Sequence, residues 1–291
     1  MRSTLRLCFC FLALQLIAQG QSPVWEVSKG DQTLYLGGTC HILRKSDFPL
    51  PNEFNLAYRE ADVLVLEADP SQMQDPATAT QLMMKARYTD GRTLKTVLSK
   101  EVYAALAARG QASGIPIEVL NGLKPGMAVM MLTIQELMKI GVTQEGVDMV
   151  FARRAREDGK PMRSLETVAF QIDLITSIGD GIEDELVRYS LRDLNQIGKF
   201  FDELIRAWRE GDNAALERLF VDDMREFPEV YEALLAKRNR MWMKAFKKML
   251  TTPEVEFALV GAGHLVGPDG LLQSFEAMGC EVRMLDAKAS E

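Results

Sequence analysis

Apolar residues gather in short runs near the two ends of the chain, whereas the long middle carries the spacing of helices. Residues 25–28 and 33–37 are typical of two strands, and residues 29–32 (KGDQ) between them form a hairpin signal. Residues 62–69 (DVLVLEAD) contain four consecutive apolar residues followed by acids, which favours a strand buried on both faces. The N-terminal part of the chain therefore predicts at least three strands.

Strand signals return at the C-terminal end. Residues 254–260 (EVEFALV) and 281–285 predict strands, and a helix is predicted between them at residues 268–278. At both ends a strand is followed by glycine and then by histidine. We therefore expect an α/β (α+β) fold in which both ends of the chain form one mixed central β-sheet, surrounded by many helices.

The middle of the chain is predicted to be largely helical. Helices are expected at residues 51–60, 99–110, 126–140, 146–159 and 167–177, and short strands at residues 116–120 and 162–165. From residue 182 to residue 250 the pattern is helical, with breaks near Gly211 and Pro228. The helix at 126–140 carries four methionines, which fits either a core helix or a flexible substrate groove.

The first twenty residues have the pattern of a signal peptide. Arg2 and Arg6 precede an apolar stretch at residues 7–18, and Ala18 and Gly20 have the spacing of a cleavage site. The alternative is an uncleaved membrane anchor, but the apolar stretch is only about half a bilayer span. We predict a signal peptide at residues 1–20, a single domain at residues 21–291, and a periplasmic or secreted protein without a stable transmembrane anchor.

The net charge of the chain argues against two classes of binding partner. The formal net charge is −7 and the sequence pI is about 5.2, which gives no reason to expect nucleic acid or an anionic membrane surface as a partner.

Cys40 and Cys280 remain after cleavage at residue 20, and an oxidising compartment would allow a disulfide between them. Sequence alone does not place the thiols within bonding distance, so a bridge and two separate thiols both stay open.

The two histidines of the chain share one setting. GTCH (residues 38–41) and GAGH (residues 261–264) each follow a predicted strand, and each places glycine three positions before the histidine. Gly38, Gly261 and Gly263 allow the backbone to turn sharply and to approach a ligand closely. Because open sheets bind ligands beyond their strand ends, the repeated setting predicts a functional site at His41 and His264.

Glu67 is the natural third member of this site. It ends the apolar run of the strand at residues 62–69, where an unpaired carboxylate would be costly and needs a cation or hydrogen-bond donors. Two imidazoles and one carboxylate form a recurring ligand set for divalent metals, with positions left for water or substrate. The sequence thus predicts a metal site at His41, Glu67 and His264.

An ordered set of short motifs resembles the TraB/GumN family. The set comprises GTCH, VLVLEAD, GVD (residues 146–148), LET (165–167), RN (238–239) and GAGHLVGPDGLL (261–272), and it covers nearly the whole of residues 21–291 in order. That family includes the Tiki metalloproteases and is distantly similar to the erythromycin-esterase and ChaN-like group. The resemblance implies that His41, Glu67 and His264 form an active centre for metal-dependent proteolysis, with manganese or cobalt as the ion and zinc as a further option.

The resemblance also assigns supporting residues. It implies that Arg238 faces the site, where a guanidinium binds a substrate carboxylate or stabilises an oxyanion, although a solvated helix face is the ordinary alternative. Asn239, Glu166 and Gln171 are then expected to orient ligands or contact substrate. For Asp148 the sequence favours a simple charge at a helix N-terminus.

Two kinds of function stay open. The first is a peptidase-like, metal-dependent hydrolase acting on a peptide or on a small ester or amide. The second is a non-catalytic periplasmic protein of the same fold that binds a metal or haem through the same histidines. A nucleotide-binding module based on Gly261 and Gly263 is disfavoured, because only five residues follow the acid, Asp286, that would bind a ribose.

Overall fold

A six-stranded sheet lies at the centre of the protein. The computed structural model describes residues 23–287, so the predicted signal peptide falls outside the described residues. The strands over this range are β1 (Val24–Lys29), β2 (Gln32–Thr39), β3 (Leu43–Arg44), β4 (Val63–Leu66), β5 (Val142–Thr143), β6 (Met162–Ser164), β7 (Glu256–Gly261) and β8 (Glu281–Met284).

The two ends of the chain meet in this sheet, as predicted. Its strand order is β6-β4-β7-β2-β1-β8, and β3 pairs with β5 separately. The pairs β6–β4, β4–β7 and β7–β2 are parallel, whereas β1 is antiparallel to both β2 and β8. Because β7 lies between β4 and β2, a C-terminal strand is inserted between two N-terminal ones. The mixed α/β fold class is confirmed.

Helices surround the sheet and fill the middle of the chain. The α-helices over residues 23–287 are α1 (Asn52–Glu60), α2 (Pro76–Lys85), α3 (Leu94–Val97), α4 (Lys100–Ser113), α5 (Ile117–Leu120), α6 (Pro125–Lys139), α7 (Val147–Asp158), α8 (Val168–Ser177), α9 (Glu183–Asp193), α10 (Ile197–Glu210), α11 (Asn213–Glu217), α12 (Pro228–Tyr231), α13 (Lys237–Met249) and α14 (Leu271–Ala277). A π-helical turn, Glu232–Ala236, joins α12 to α13, and a 3₁₀ turn, Ala262–His264, follows β7. Across the described range, none of these helices has the length and apolar content to cross a membrane.

One predicted element has the wrong type. Residues 116–120 form the short helix α5 instead of a strand, with Pro116 extended at its N-cap and Leu120 buried. A short apolar segment does not show by its pattern alone whether it is helical, and proline at its start suits a helix N-terminus. At the start of α4 the prediction is confirmed, since the Ser99 hydroxyl accepts a hydrogen bond from the Val102 N–H.

The buried apolar side chains of the described residues form three clusters, of which two are large and the third contains Ala68, Val168 and Ile172. The larger surrounds the sheet and includes the aromatic side chains of Phe54, Trp208 and Phe257. The smaller lies among α3–α6 and α9, where Leu106 and Leu132 are fully buried. The predicted helical region thus has apolar packing of its own, and its helix α6 faces the carboxyl ends of the strands.

The two thiols of the described chain are far apart and free. Cys40 directly follows the carboxyl end of β2, and Cys280 directly precedes β8. Across the sheet, Glu281 of β8 pairs with Ser28 of β1, and Ser28 pairs with Thr33 near the start of β2. Thr33 and Cys40 are seven positions apart, about 23 Å at about 3.3 Å per residue. A disulfide requires Cα atoms within about 7 Å, so the bridge between Cys40 and Cys280 that the sequence left open is not formed.

Candidate functional site

The carboxyl ends of three neighbouring parallel strands bring the predicted residues together. Leu66 of β4 pairs with Leu259 of β7, and Gly261 of β7 pairs with Thr39 of β2. Glu67 follows β4 directly, His41 lies two residues beyond β2, and His264 ends the 3₁₀ turn after β7. The topology therefore places both histidines and the glutamate at one edge of the sheet.

Gly261 lies between the three side chains. A Cβ atom on Gly261 would lie 3.4 Å from His41 Nε2, 3.4 Å from Glu67 Oε1 and 3.6 Å from His264 Cδ2. The Gly261 N–H donates a hydrogen bond of 2.7 Å to Glu67 Oε1, and His264 Nε2 lies 3.9 Å from that oxygen. Glycine at this position thus keeps the space between the donors open.

The other two motif glycines have packing roles. A Cβ atom on Gly38 would lie 2.7 Å from Leu265 Cδ1, and one on Gly263 would lie 3.0 Å from the Phe220 ring. The Gly38 carbonyl accepts a hydrogen bond from the Trp208 indole N–H at 2.8 Å. These glycines let the 3₁₀ turn pack tightly against β2 and against α11 with its following turn, a packing role that the sequence did not predict.

His41 is oriented by Asp148. His41 Nδ1 lies 2.8 Å from Asp148 Oδ2, and the Thr39 hydroxyl donates to Asp148 Oδ1 at 3.1 Å. A carboxylate only accepts, so Nδ1 carries the hydrogen and Nε2 faces the space beside Gly261. The Asp148 carboxylate raises the pKa of His41 to about 9. The sequence favoured a plain helix N-terminal charge for Asp148, but the structure gives it a defined partner.

Gly146 makes the contact between His41 and Asp148 geometrically possible. Its backbone lies so close to residues 40–41 that an added Cβ atom would overlap the carbonyl groups of Cys40 and His41. The Val147 N–H donates to the Cys40 carbonyl at 3.1 Å, which fixes the start of α7 against the end of β2. The GVD motif therefore has a structural reason, since glycine allows the approach and Asp148 uses it.

Gly146→Ala is expected to lower the free energy of unfolding by about 2–3 kcal/mol, because backbone atoms must move to admit the methyl group. Urea titration of purified protein measures the change. Gly198→Ala is the matched control: the glycine lies in α10 with open space around it, so alanine should stabilise by about 0.5–1 kcal/mol. Equal effects of the two substitutions would contradict the account of Gly146.

His264 is buried and held on both ring nitrogens. Arg238 Nη1 lies 2.8 Å from His264 Nε2, and Asn239 Oδ1 lies 2.7 Å from Nδ1. Because a guanidinium only donates, Nε2 accepts and Nδ1 carries the hydrogen. The Asn239 amide donates to the carbonyls of His264 and Asp269 at 3.0 and 2.7 Å, which fixes its orientation. Burial lowers the pKa of His264 to about 3, so the ring is neutral.

Arg238 connects the remaining predicted residues. Its Nη2 donates to Glu67 Oε2 and to Glu166 Oε1, each at 2.5 Å, and its Nε donates to Glu166 Oε2 at 3.2 Å. Gln171 donates to Glu166 at 3.0 Å and to Glu67 at 3.4 Å. Arg238 thus lies in the buried site and not on a solvated helix face, so the ordinary alternative for it is wrong.

Trp242 belongs to this network and was missed by sequence reasoning. Its indole N–H donates to Glu166 Oε2 at 3.1 Å, and its ring lies beneath the Arg238 guanidinium, 4.6 Å from Cζ, and beside the His264 ring. The available signal was its position one helical turn after Arg238, on the same face of α13. Trp242 holds Arg238 and Glu166 in place.

The surroundings keep Glu67 ionised. Burial alone would raise the pKa of Glu67, but direct contact with the Arg238 guanidinium and the hydrogen bond from the Gly261 N–H hold it well below its ordinary value. The buried network contains the carboxylates of Glu67, Glu166 and Asp148 and the guanidinium of Arg238. With both imidazoles neutral, it has two negative charges in excess.

A cavity of about 490 Å³ opens onto this network. His41, Glu67, Asp148, Gln171 and Arg238 line one end of it. Apolar side chains form most of the remaining wall, with α6 contributing Met130, whereas Met138 of the same helix is 56 % exposed. His41 is the accessible imidazole, with 60 % of its side chain exposed, whereas His264 is closed off. Solvent or a ligand therefore reaches the site from the His41 side.

Comparison with known proteins gives the class of this chain. The profile of the TraB/PrgY/gumN family matches residues 23–284, and the chain belongs to that family. It is similar to "Uncharacterized protein YbaP" of Escherichia coli (strain K12), with 24 % identity over 251 residues, covering 84 % of this chain and 88 % of the relative. The protein of the same name from Shigella flexneri matches to the same extent. No solved structure matches the chain closely enough to count as a relative.

Proposed function

We propose that this protein is a metal-dependent, peptidase-like hydrolase that acts in the periplasm or outside the cell after cleavage near Gly20. The observation that carries the proposal is the convergence of His41 Nε2, Glu67 Oε1 and His264 around Gly261, at the end of a cavity. Membership of the TraB/PrgY/gumN family supports the proposal as far as a shared fold goes, and proteolysis is what the resemblance to the Tiki branch of that family implies. The signal-like residues 1–20 support the location.

The donor set and its charge fit a divalent cation. Two imidazole nitrogens and a carboxylate oxygen suit manganese, cobalt or zinc, with manganese and cobalt our first choices. With both imidazoles neutral a divalent cation would balance both excess negative charges of the buried network, whereas a proton on His41 balances only one of them. His41, Glu67 and His264 would hold the ion, and Asp148 and Asn239 already fix the ring orientations that ligation requires.

One contact must change before His264 can bind a metal. Its Nε2 lone pair accepts from Arg238 Nη1, and within residues 23–287 no three His, Cys, Asp or Glu side chains form a preorganised metal cluster. Release of this single bond frees Nε2, while Arg238 keeps its bonds to Glu67 and Glu166 through Nη2 and Nε. Arg238 and the cation therefore compete for one lone pair at His264. At His41 Nε2 the cation competes with a proton, because Asp148 raises the pKa of that imidazole to about 9.

The chemistry follows from these positions. A divalent ion held by His41, Glu67 and His264 would supply Lewis-acid chemistry, polarising a carbonyl and lowering the pKa of water. Asp148 keeps the His41 ring in the tautomer that presents Nε2 to the cavity. Arg238 Nη1, once it leaves His264, is the donor positioned to stabilise the negative charge on the carbonyl oxygen of the substrate. Glu166 accepts hydrogen bonds from Arg238 and from the Trp242 indole, and these bonds hold the guanidinium in position.

Asp148→Asn is expected to reduce kcat/KM and metal affinity by about 10- to 100-fold, because the amide leaves the shape intact but no longer orients and polarises His41 as a carboxylate does. Metal titration and steady-state kinetics measure the two effects. Asp158→Asn, at the exposed end of α7, is the control and should change neither quantity beyond twofold or so. An active Asp148→Asn protein with unchanged metal affinity would contradict the orienting role.

The proposed activity is tested with purified protein and a panel of peptide, ester and amide substrates. Hydrolysis should be detected, should stop after chelation, and should return with Mn²⁺, Co²⁺ or Zn²⁺. Stable metal binding without hydrolysis of any substrate would instead identify the non-catalytic metal- or haem-binding alternative. Mass spectrometry of protein recovered from the cell envelope tests the location, and an N-terminus at Met1 would contradict it.

A further inference from the structure

A second cavity continues the first. It has a volume of about 180 Å³ and shares Leu174, Ile178 and Leu234 with the cavity at the site. These three side chains come from the end of α8 and from the π-helical turn before α13, so they form the common wall between the two spaces. The two cavities therefore adjoin each other, and we call the pair the groove.

The groove is apolar near the reacting groups. Beyond Gln171 and Arg238, its walls are formed by side chains such as Met73, Met130 and Ile175. Binding of apolar substrate groups against such walls is favourable, with a free energy of roughly 25 cal/mol per Å² of apolar surface removed from water. A charged group placed there would lose its hydration without finding a partner.

The outer end of the groove is acidic. Asp180 and Glu229 line the second cavity. The Asp180 carboxylate lies 3.6 Å from Lys124 Nζ, whereas Glu229 is exposed in the first turn of α12 and forms no ion pair within residues 23–287. The outer end of the groove therefore has one carboxylate in excess.

The helical stretch from α12 to α13 sets a scale for the length of the groove. Glu229 precedes Arg238 by nine residues, and at about 1.5 Å per residue the axial rise between them is roughly 13 Å, including the π-helical turn. An extended peptide rises about 3.3 Å per residue, so about four residues span the groove. A small ester or amide would fill the inner cavity alone and would not reach Glu229.

Building on the proposed function, we propose that the substrate is an extended peptide with apolar residues beside the bond that is cleaved and a cationic group about four residues away, at Glu229. The cation is either a lysine or arginine side chain or the free amino terminus. The inner apolar walls select the segment to be cut, and Glu229 sets its register. Leu234 and Ile178, between the two cavities, are the specificity-determining side chains.

Binding and cleavage of designed peptides test this proposal separately. Binding is measured by calorimetry on chelated wild-type protein, with apolar hexapeptides that carry lysine four residues from a central leucine, glutamine in its place, or a free or acetylated amino terminus. Wild-type protein should bind the cationic peptides about tenfold more tightly than neutral ones, and Glu229→Lys should remove that difference. Glu232→Lys, an exposed charge reversal one helical turn away, is the matched control and should leave the difference in place.

Leu234→Asp should weaken binding of every apolar peptide by about tenfold or more, with the circular dichroism spectrum unchanged. Equal affinity for cationic, neutral and acidic peptides, or no binding of any peptide, overturns the proposal. With metal restored, mass spectrometry locates the cut. If peptides are hydrolysed regardless of their charge and apolar residues, the proposed function stands and the proposed substrate preference is wrong. If peptides bind with that preference but none is hydrolysed, the substrate preference stands and the proposed hydrolase function is wrong.

Discussion

Replacing His41 by alanine is expected to lower kcat/KM by about 10³-fold or more and to remove tight metal binding. His41 is the accessible imidazole of the site, and its Nε2 is the one histidine nitrogen there that faces the space beside Gly261 without a protein partner. Because the substitution takes away the imidazole partner of the buried Asp148 carboxylate, it should also lower the free energy of unfolding by about 1–2 kcal/mol. Kinetics, metal titration and urea unfolding measure the three effects.

Lys45→Ala is the control for this variant, because Lys45 is an exposed neighbour with no role in the site, and it should behave as wild type. His264→Ala should also lose activity, but it should cost about 2 kcal/mol or more of stability, since it leaves the buried Arg238 donor without its acceptor and the buried Asn239 Oδ1 without its donor. A His41→Ala protein that keeps full activity and metal content would refute the proposed centre.

Arg238→Met is expected to lower the free energy of unfolding by about 3–5 kcal/mol, the largest stability change predicted here. Arg238 is buried between Glu67 and Glu166, and its removal leaves two carboxylates in a poorly hydrated network without their cation. Methionine retains much of the side-chain volume, so the loss reports charge and hydrogen bonding more than packing. Urea unfolding of the metal-free protein measures it.

Arg240→Met is the matched control on the same helix. Arg240 forms an exposed ion pair with Glu232, and such pairs contribute about 1 kcal/mol or less. Saturating Mn²⁺ should restore part of the stability of the Arg238→Met protein, because the cation replaces the missing positive charge beside Glu67. If Arg238→Met and Arg240→Met destabilise equally, the buried network does not have the role assigned to it.

The sheet and the pair of histidines could be predicted because their signals are local. A four-residue apolar run followed by an acid identifies β4 and Glu67, and the repeated strand–glycine–histidine order marks the ends of β2 and β7. Parallel pairing of these strands then brings His41 and His264 to one edge without further information. The short segment at residues 117–120 lacked enough length to show its period, and its type was predicted wrongly.

Relations that depend on close approach could not be predicted in the same way. The bond between Asp148 and His41 exists because Gly146 lets two backbone segments come into contact, and no periodicity encodes that contact. The relation of Cys40 to Cys280 depends on strand order, since β1 runs between the two parallel strands β2 and β8 and places the thiols at opposite ends. The full set of Arg238 contacts likewise required the relative placement of α8 and α13.

The central claim is tested most directly by the metal content of freshly purified protein. Elemental mass spectrometry measures it for the wild-type and the His41→Ala proteins side by side. The account predicts about one Mn, Co or Zn ion per wild-type chain and less than about a tenth of that in His41→Ala, with hydrolysis tracking the metal through chelation and reconstitution. Hydrolysis that persists unchanged in wild-type protein stripped of metal would contradict it.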